Sequence, residues 1–324
     1  MGVQSGTVPT KPNRSPQVLI PYPGPSTDSQ TQDVFLYLRP EANGVQVEST
    51  ILRVVEHCPE YRHNLFLVYL ANIPGQFIVD NHLIERYYEV QLAFAVHGKS
   101  LLTAQMREAF ARQFGEDAEK APIIGAFEAL RKLGLRPDEL FDVWVDEKDL
   151  LAVHGQTIKR YRGYYIVNYD IPALLHKNNR DTDIAVMIFR TTLGWPFFTE
   201  LAVEMEAALS SRGLLENKRH PRRLFHYSRG PLHQAVDGWC YLCDTDGGLL
   251  GVERTSFAAY LAQHGIGRSE LQRLIRRPIV LVPTDQNGTG EAQVVETNVF
   301  RYTEGDRYPA ALAKLRTILA QYIS

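Results

Sequence analysis

Between Asp33 and Gly115 the chain switches repeatedly between two kinds of apolar spacing, and that alternation narrows the architecture more than any other feature. Asp33–Leu38 is an apolar and aromatic run ended by Arg39-Pro40 and an Asn43-Gly44 turn, which predicts a strand. Val47, Ile51, Val54, Val55 and Cys58 then recur at the spacing of one helical face, which predicts an amphipathic helix with Cys58 in the core. Asn64–Leu70 is apolar on both sides and predicts a central strand. Pro74-Gly75 opens a helix through about Tyr88. Val90, Leu92, Phe94 and Val96 alternate with Gln91, Ala93 and Ala95, the period of a third strand. After His97-Gly98, Leu102, Met106 and Phe110 fall four apart, a helix closed by Gly115. Strand and helix in this order predict an α/β fold, a sheet with helical crossovers (βαβ units).

The same logic extends along the chain. Phe127 and Leu130 mark a short helix closed by Gly134, and Pro137 starts another. Strands are expected at Tyr164–Tyr169, Ile184–Phe189 and Pro278–Pro283, a helix from Pro196 to Arg212, and an amphipathic helix from Pro309. Residues 1–33, rich in Pro, Ser, Thr and Gln, are expected to be a disordered tail, because they bury too little apolar surface to offset their ordering entropy. The texture changes near Leu214, so the expected division is an α/β unit over 34–213 and a smaller α+β unit over 214–324.

Charge excludes more than it assigns. Thirty-five Lys and Arg stand against 37 Asp and Glu, a net charge of -2, which gives no global attraction to nucleic acid or anionic lipid. Three cysteines are too few for a disulfide framework and, with no apolar run long enough to span a bilayer, lead to the expectation of a cytoplasmic protein away from membranes.

Several stretches carry candidate chemistry. Ala93–Ser100 fits the loosest phosphate-loop pattern, with Gly98, Lys99 and Ser100 as phosphate-binding candidates, although a single glycine gives few inward-turned amides. Ala152-Val-His-Gly155 repeats the letters of Ala95-Val-His-Gly98. The loop from His176 to Asp183 is a polar candidate through His176, Asp181 and Asp183. Lys218, Arg219, Arg222 and Arg223, interleaved with Phe225 and Tyr227, form a candidate anion-binding or local nucleic-acid-binding stretch. Finally, Cys240 and Cys243 have C-x-x-C spacing with His226 and His233 upstream, and the flanks predict a β-hairpin over 239–250.

Two resemblances follow from these letters. The apolar run ending in Asp244-Thr-Asp246-Gly resembles the nucleophile motif of haloacid-dehalogenase-type phosphatases, which implies a later lysine; only Lys314, in the C-terminal helix, follows. Phe35–Glu41 resembles the first strand of nucleoside diphosphate kinases, whereas the setting of His176 lacks the glycine of that family's histidine motif. With no complete catalytic constellation, no metal and no cofactor indicated, the expectation is a non-catalytic regulatory or interaction protein with a protein partner or self-association. The alternative is a nucleotide- or phosphoester-binding protein.

Overall fold

The computed structural model describes residues 15–26, 28–57, 59–214, 224–284 and 293–321. Its elements are mixed α/β, arranged as three sheets with helices between them.

The largest sheet is built on β2 (Gln32–Leu38), all seven of whose residues are buried, and on β3 (Leu65–Ile73). Between them in sequence lie α1 (Val45–His57) and α2 (Pro59–Arg62), and α1 turns Val47, Ile51 and Val55 inward as its spacing predicts. Cys58 lies outside the described residues. β2 and β3 both pair antiparallel to β8 (Ile184–Thr191), so they run in the same direction with β8 between them. The helical crossover is therefore present, but the slot it spans is filled by a strand from later in the chain. β1 (Gln17–Ile20) and β9 (Phe225–Tyr227) complete the order β1-β3-β8-β2-β9. Packed on this sheet are α10 (Trp195–Ser211) and α11 (Pro231–Tyr241), with α12 (Ser256–Gln263) beyond α11.

Two expectations change here. Residues 15–26 and 28–33 are ordered: β1 pairs with β3, and Gln32 and Asp33 open the buried strand β2. Their anchor is an ion pair the composition could not reveal. Arg190 donates to both Asp33 oxygens at 2.7 and 2.9 Å and to the Gly24 carbonyl at 2.7 Å, while Tyr22 and Ser256 hydroxyls donate to Asp33 at 2.7 and 2.6 Å. The change of texture near 214 falls between α10 and β9, yet β9 is hydrogen-bonded to β2, and one apolar core runs from Val34 to Leu315.

The middle of the chain forms a second sheet. After α3 (Gly75–Asp80) and α4 (Leu83–Tyr87), residues 89–97 form helix α5 (Glu89–His97), not the strand their alternation predicts. Ala93 and Ala95, which served as the polar half of a strand pattern, are helix formers, and only Val90 and Val96 are β-branched. Gly125 must lack a side chain because α5 crosses β4 (Ile123–Gly125) backbone to backbone: a Cβ there would lie 2.2 Å from the Ala95 carbonyl oxygen. Then come α6 (Ala104–Phe114), α7 (Ala126–Leu133), α8 (Pro137–Asp142), β5 (Leu150–Val153), β6 (Gln156–Tyr161), β7 (Tyr164–Val167) and α9 (Ile171–Lys177). The order β4-β7-β6-β5 puts Tyr165 and Val167 against Phe110 and Met106 of α6, and Ile166 against Ala129, Leu140 and Ile171 on the opposite face.

Past α13 (Arg268–Arg276), strand β10 (Ile279–Thr284) pairs antiparallel with β11 (Gln293–Asn298) and β12 (Ala320–Gln321), while α14 (Val299–Tyr302) and α15 (Tyr308–Arg316) close the fold. The hairpin expected over 239–250 is a helix end and a tight turn: Trp239 and Cys240 belong to α11, and only Cys243 and Leu249 bridge. Asp244 organises the turn, its Oδ1 accepting the amides of Asp246 and Gly248 at 3.0 and 2.8 Å.

Candidate functional site

The two-residue turn joining β5 to β6 has His154 and Gly155 at φ 47° and 80°, the backbone of a type I′ hairpin, which Gly155 supplies without a Cβ penalty. That turn points at the start of β10–β11: Asn298 donates to the His154 carbonyl at 2.9 Å, and His154 Nε2 is 3.0 Å from Glu296, whose side chain is fully buried. Together with the α4–α5 junction, the N-terminal half of α11 and α14, this junction of all three sheets encloses a cavity of about 420 Å³. Arg86, Arg229 and Arg301 supply its cationic lining, His154, His226 and His233 its imidazoles, and Glu89 and Glu304 its carboxylates, while Val90, Val153, Val236, Ile275 and Phe300 supply apolar wall.

Behind the lining residues Tyr87, His226 and His233 lies an array of buried polar groups. Asp237 has no solvent exposure, and burial pushes its carboxyl up to about 7 against the downward pull of hydrogen bonds from Ser228 and Tyr87. Ser228 Oγ donates to Asp237 Oδ2 at 2.6 Å and accepts the Phe35 amide at 3.1 Å. His226 Nε2 is 3.1 Å from the Tyr87 hydroxyl and 3.6 Å from Asp237 Oδ1, and its ring stacks on Tyr37 with centroids 4.8 Å apart. Burial holds His226 well below the usual histidine range, assisted by the charges of His233, Arg39 and Arg229. His233 is lowered to about 4 by burial and by Arg229. Both imidazoles are therefore neutral near pH 7. His233 Nδ1, Gln234 Nε2 and Asp237 Oδ1, all on α11, are sealed from solvent without a hydrogen-bond partner among the described residues.

Serine, histidine and aspartate thus stand together, but not as a nucleophilic triad. The Ser228 hydroxyl is spent on the carboxylate rather than on His226, and Ser228 has no exposure through which to meet a substrate. What the array offers is a neutral imidazole and a carboxyl that titrates near neutrality, side by side behind a cavity whose mouth carries arginines.

The residues singled out in the sequence lie elsewhere. Gly98, Lys99 and Ser100 form a 3₁₀ turn at the C-terminus of α5, where carbonyls rather than amides are left over. Gly98 packs on Gly125, Lys99 is held by the carbonyl and carboxylate of Glu119, and the Ser100 hydroxyl donates to the His97 carbonyl at 3.0 Å. His176, Asp181 and Asp183 do not converge. His176 is 3.9 Å from Asp138, the Asp181 amide donates to Asn179, and Asp183 accepts the Gly75 amide at 3.1 Å, pinning the start of α3. Lys218, Arg219, Arg222 and Arg223 lie outside the described residues. Cys240 and Cys243 are buried free thiols, both raised by burial, Cys243 to about 12. That is opposite to the acidified thiol of a redox pair, and no group of three or more metal-ligating side chains occurs among the described residues. No described helix is long and apolar enough to cross a membrane.

The array was missed because a strand reading of 239–243 hid the helix. Pro231 at its first turn is the signal that would have found it: on a helix, His233 and Asp237 are four apart and share a face. Comparison adds no relative: no family model matches the chain, and neither does any curated protein or solved structure.

Proposed function

We propose that the protein binds a small organic anion, a carboxylate or a phosphoester, in the cavity at the junction of the three sheets. The observation that carries this reading is the convergence of Arg86, Arg229 and Arg301 on a hollow of about 420 Å³ whose wall is otherwise largely apolar. That volume is in the range of small-molecule sites, roughly 300–1,000 Å³. Of the lining carboxylates, Glu304 is 4.0 Å from Arg229, and Glu89 is 3.3 Å from Arg276. Arg301 has no acidic partner among the described residues, so the wall keeps an excess of positive charge. Neutral His226 and His233 add donors or acceptors without adding charge. Nucleoside phosphates fall within the proposed class.

A thermal-shift and calorimetric screen of carboxylates, sugar phosphates and nucleoside monophosphates tests it, with Arg229→Ala and Arg301→Ala in parallel. A ligand at about 100 times its dissociation constant adds about 2.7 kcal/mol of stability. The expected result is saturable binding that weakens in both variants. No binding by any anion in the set would overturn the proposal.

A second reading, docking to a protein partner or a second copy, is favoured by Trp144. This aromatic is 81% exposed in the segment after α8, whereas the other two tryptophans are largely enclosed. Exposed aromatics are enriched at interfaces. Sedimentation of wild type and Trp144→Ser tests that reading, and a strictly monomeric wild type recovered without partners would count against it.

A further inference from the structure

Beyond Val90 and Pro278 lies a second hollow of about 370 Å³, and Glu89, Val90 and Pro278 line both chambers. Its wall is apolar through Phe94, Leu101, Leu102 and Ile279, and it carries arginines of its own, the exposed Arg276 and Arg277. Glu89 is the carboxylate common to both chambers, and Arg276 Nε lies 3.3 Å from it, so the negative charge at the junction is compensated by the protein itself. Arg277 has no acidic partner among the described residues. The two chambers are also tied mechanically. Arg86 from the first and Arg276 from the second both stand against the Trp239 ring, their guanidinium carbons 5.8 and 5.5 Å from its centroid. One indole thus stands beside a guanidinium from each chamber, and apolar Val90 and Pro278 line both.

We infer that the two chambers receive the two ends of one elongated organic dianion, an anionic group at each end joined by an apolar spacer. This rests on the proposal that the first chamber binds anions and adds the shape of the ligand. Charge complementarity selects the class. Each chamber offers an arginine with no acidic partner among the described residues, Arg301 in the first and Arg277 in the second, while of the three residues common to both chambers Val90 and Pro278 are apolar and Glu89 is already paired with Arg276. Once one end is seated, the spacer holds the other at high effective concentration, which raises affinity steeply at matched length and not at all when the spacer is too short.

The test is calorimetry on the full chain at low salt with straight-chain dicarboxylates, malonate, adipate and sebacate, each beside the monocarboxylate of equal carbon number. The expected result is that malonate binds like a monoanion, and that one longer dicarboxylate exceeds its matched monocarboxylate by about 100-fold. In Arg277→Ala, a substitution at an exposed side chain, that dicarboxylate falls to the level of the monoanion. If monocarboxylates bind but no dicarboxylate exceeds its match, the two-chamber inference fails and the anion cavity stands. If affinity grows equally with chain length in both series, the second chamber takes an apolar tail, and the dianion is again overturned. If no carboxylate or dicarboxylate binds, the dicarboxylate inference fails, and the anion reading beneath it stands or falls with the phosphoesters of the thermal-shift screen.

Discussion

Replacing Asp237 by Asn should stabilise the protein at neutral pH, and the gain should vanish toward acid. In the folded chain burial raises this carboxyl from 3.8 to about 7. Between those values the folded state holds a proton that the unfolded state has released. Stability due to this group is therefore fully present below the unfolded value and is lost as pH rises through the folded one. At 1.36 kcal/mol per unit the loss accumulates to about 4 kcal/mol by pH 7. Asparagine keeps the shape, can still accept the Ser228 hydroxyl, and turns a donor toward His226 Nε2, which stands 3.6 Å from Asp237 Oδ1. The histidines behave in the opposite sense. His233 falls from 6.5 to about 4, so its contribution is present above the unfolded value and is lost as pH drops through the folded one; His226 has the same sign. In the wild type the acid slope of Asp237 offsets part of the histidine slope, and Asp237→Asn removes that offset. Urea titrations at about pH 5, 6, 7 and 8 read both effects: the variant should lead by about 1.5 kcal/mol at the lowest pH and by about 4 at the highest. A gap that does not change with pH, or a variant less stable at pH 8, would refute the assignment of a neutral buried carboxyl.

Three further outcomes follow from the packing. Asp33→Asn leaves Arg190 without its charge partner in a largely buried site and should cost about 3–5 kcal/mol, with residues 15–26 becoming sensitive to limited proteolysis; resistance equal to wild type would show that Asp33 does not anchor that segment. Gly98→Ala meets both a positive φ of 53° and the Gly125 nitrogen at 2.6 Å, and should lower stability by roughly 2–3 kcal/mol, whereas Lys99→Ala, losing only its contacts to Glu119, should cost less than about 1 kcal/mol by the same denaturant assay. In a Cys58→Ser background, Cys240 and Cys243 should resist a thiol reagent in the native state and react at once in denaturant, since burial raises both thiols; rapid native labelling would contradict their enclosure.

Where a helix buries one face against a sheet, its letters were sufficient. Val47, Ile51 and Val55 in α1, and Met106 and Phe110 in α6 with Gly115 at φ 71°, are inward as their spacing requires. The pattern failed where a helix is enclosed on several sides. α5 touches β4, α7 and α9 and sends Phe94 to one core and Ala95 to another, so it has no polar face to mark its period. α11 is buried along most of its length and misled in the same way. Sheet order was illegible for a different reason. The slot between β2 and β3 is taken by β8, more than a hundred residues downstream of β3, and no local spacing announces such a pairing.

The repeated Ala-Val-His-Gly shows how the site itself escaped the letters. At Ala95–Gly98 the four residues finish a helix, and the glycine is required by its contact with the backbone of Gly125. At Ala152–Gly155 they end a strand and turn a hairpin, and the glycine is required by a φ of 80°. The second histidine, half-buried, reaches Glu296 and the cavity, whereas the first is exposed and hands its carbonyl to Ser100. The residue types are the same, and the difference lies in which backbone each sequence must oppose. Tyr87, His154, His233 and Arg301 meet because α4, the β5–β6 turn, α11 and α14 end at one junction, and a cavity assembled from element ends at such separations leaves no motif to read. Its chemistry becomes visible only when burial is known. Asp237 and His233 are ordinary letters until the absence of water around them raises one and lowers the other, and that environment makes the junction the place to look for a ligand.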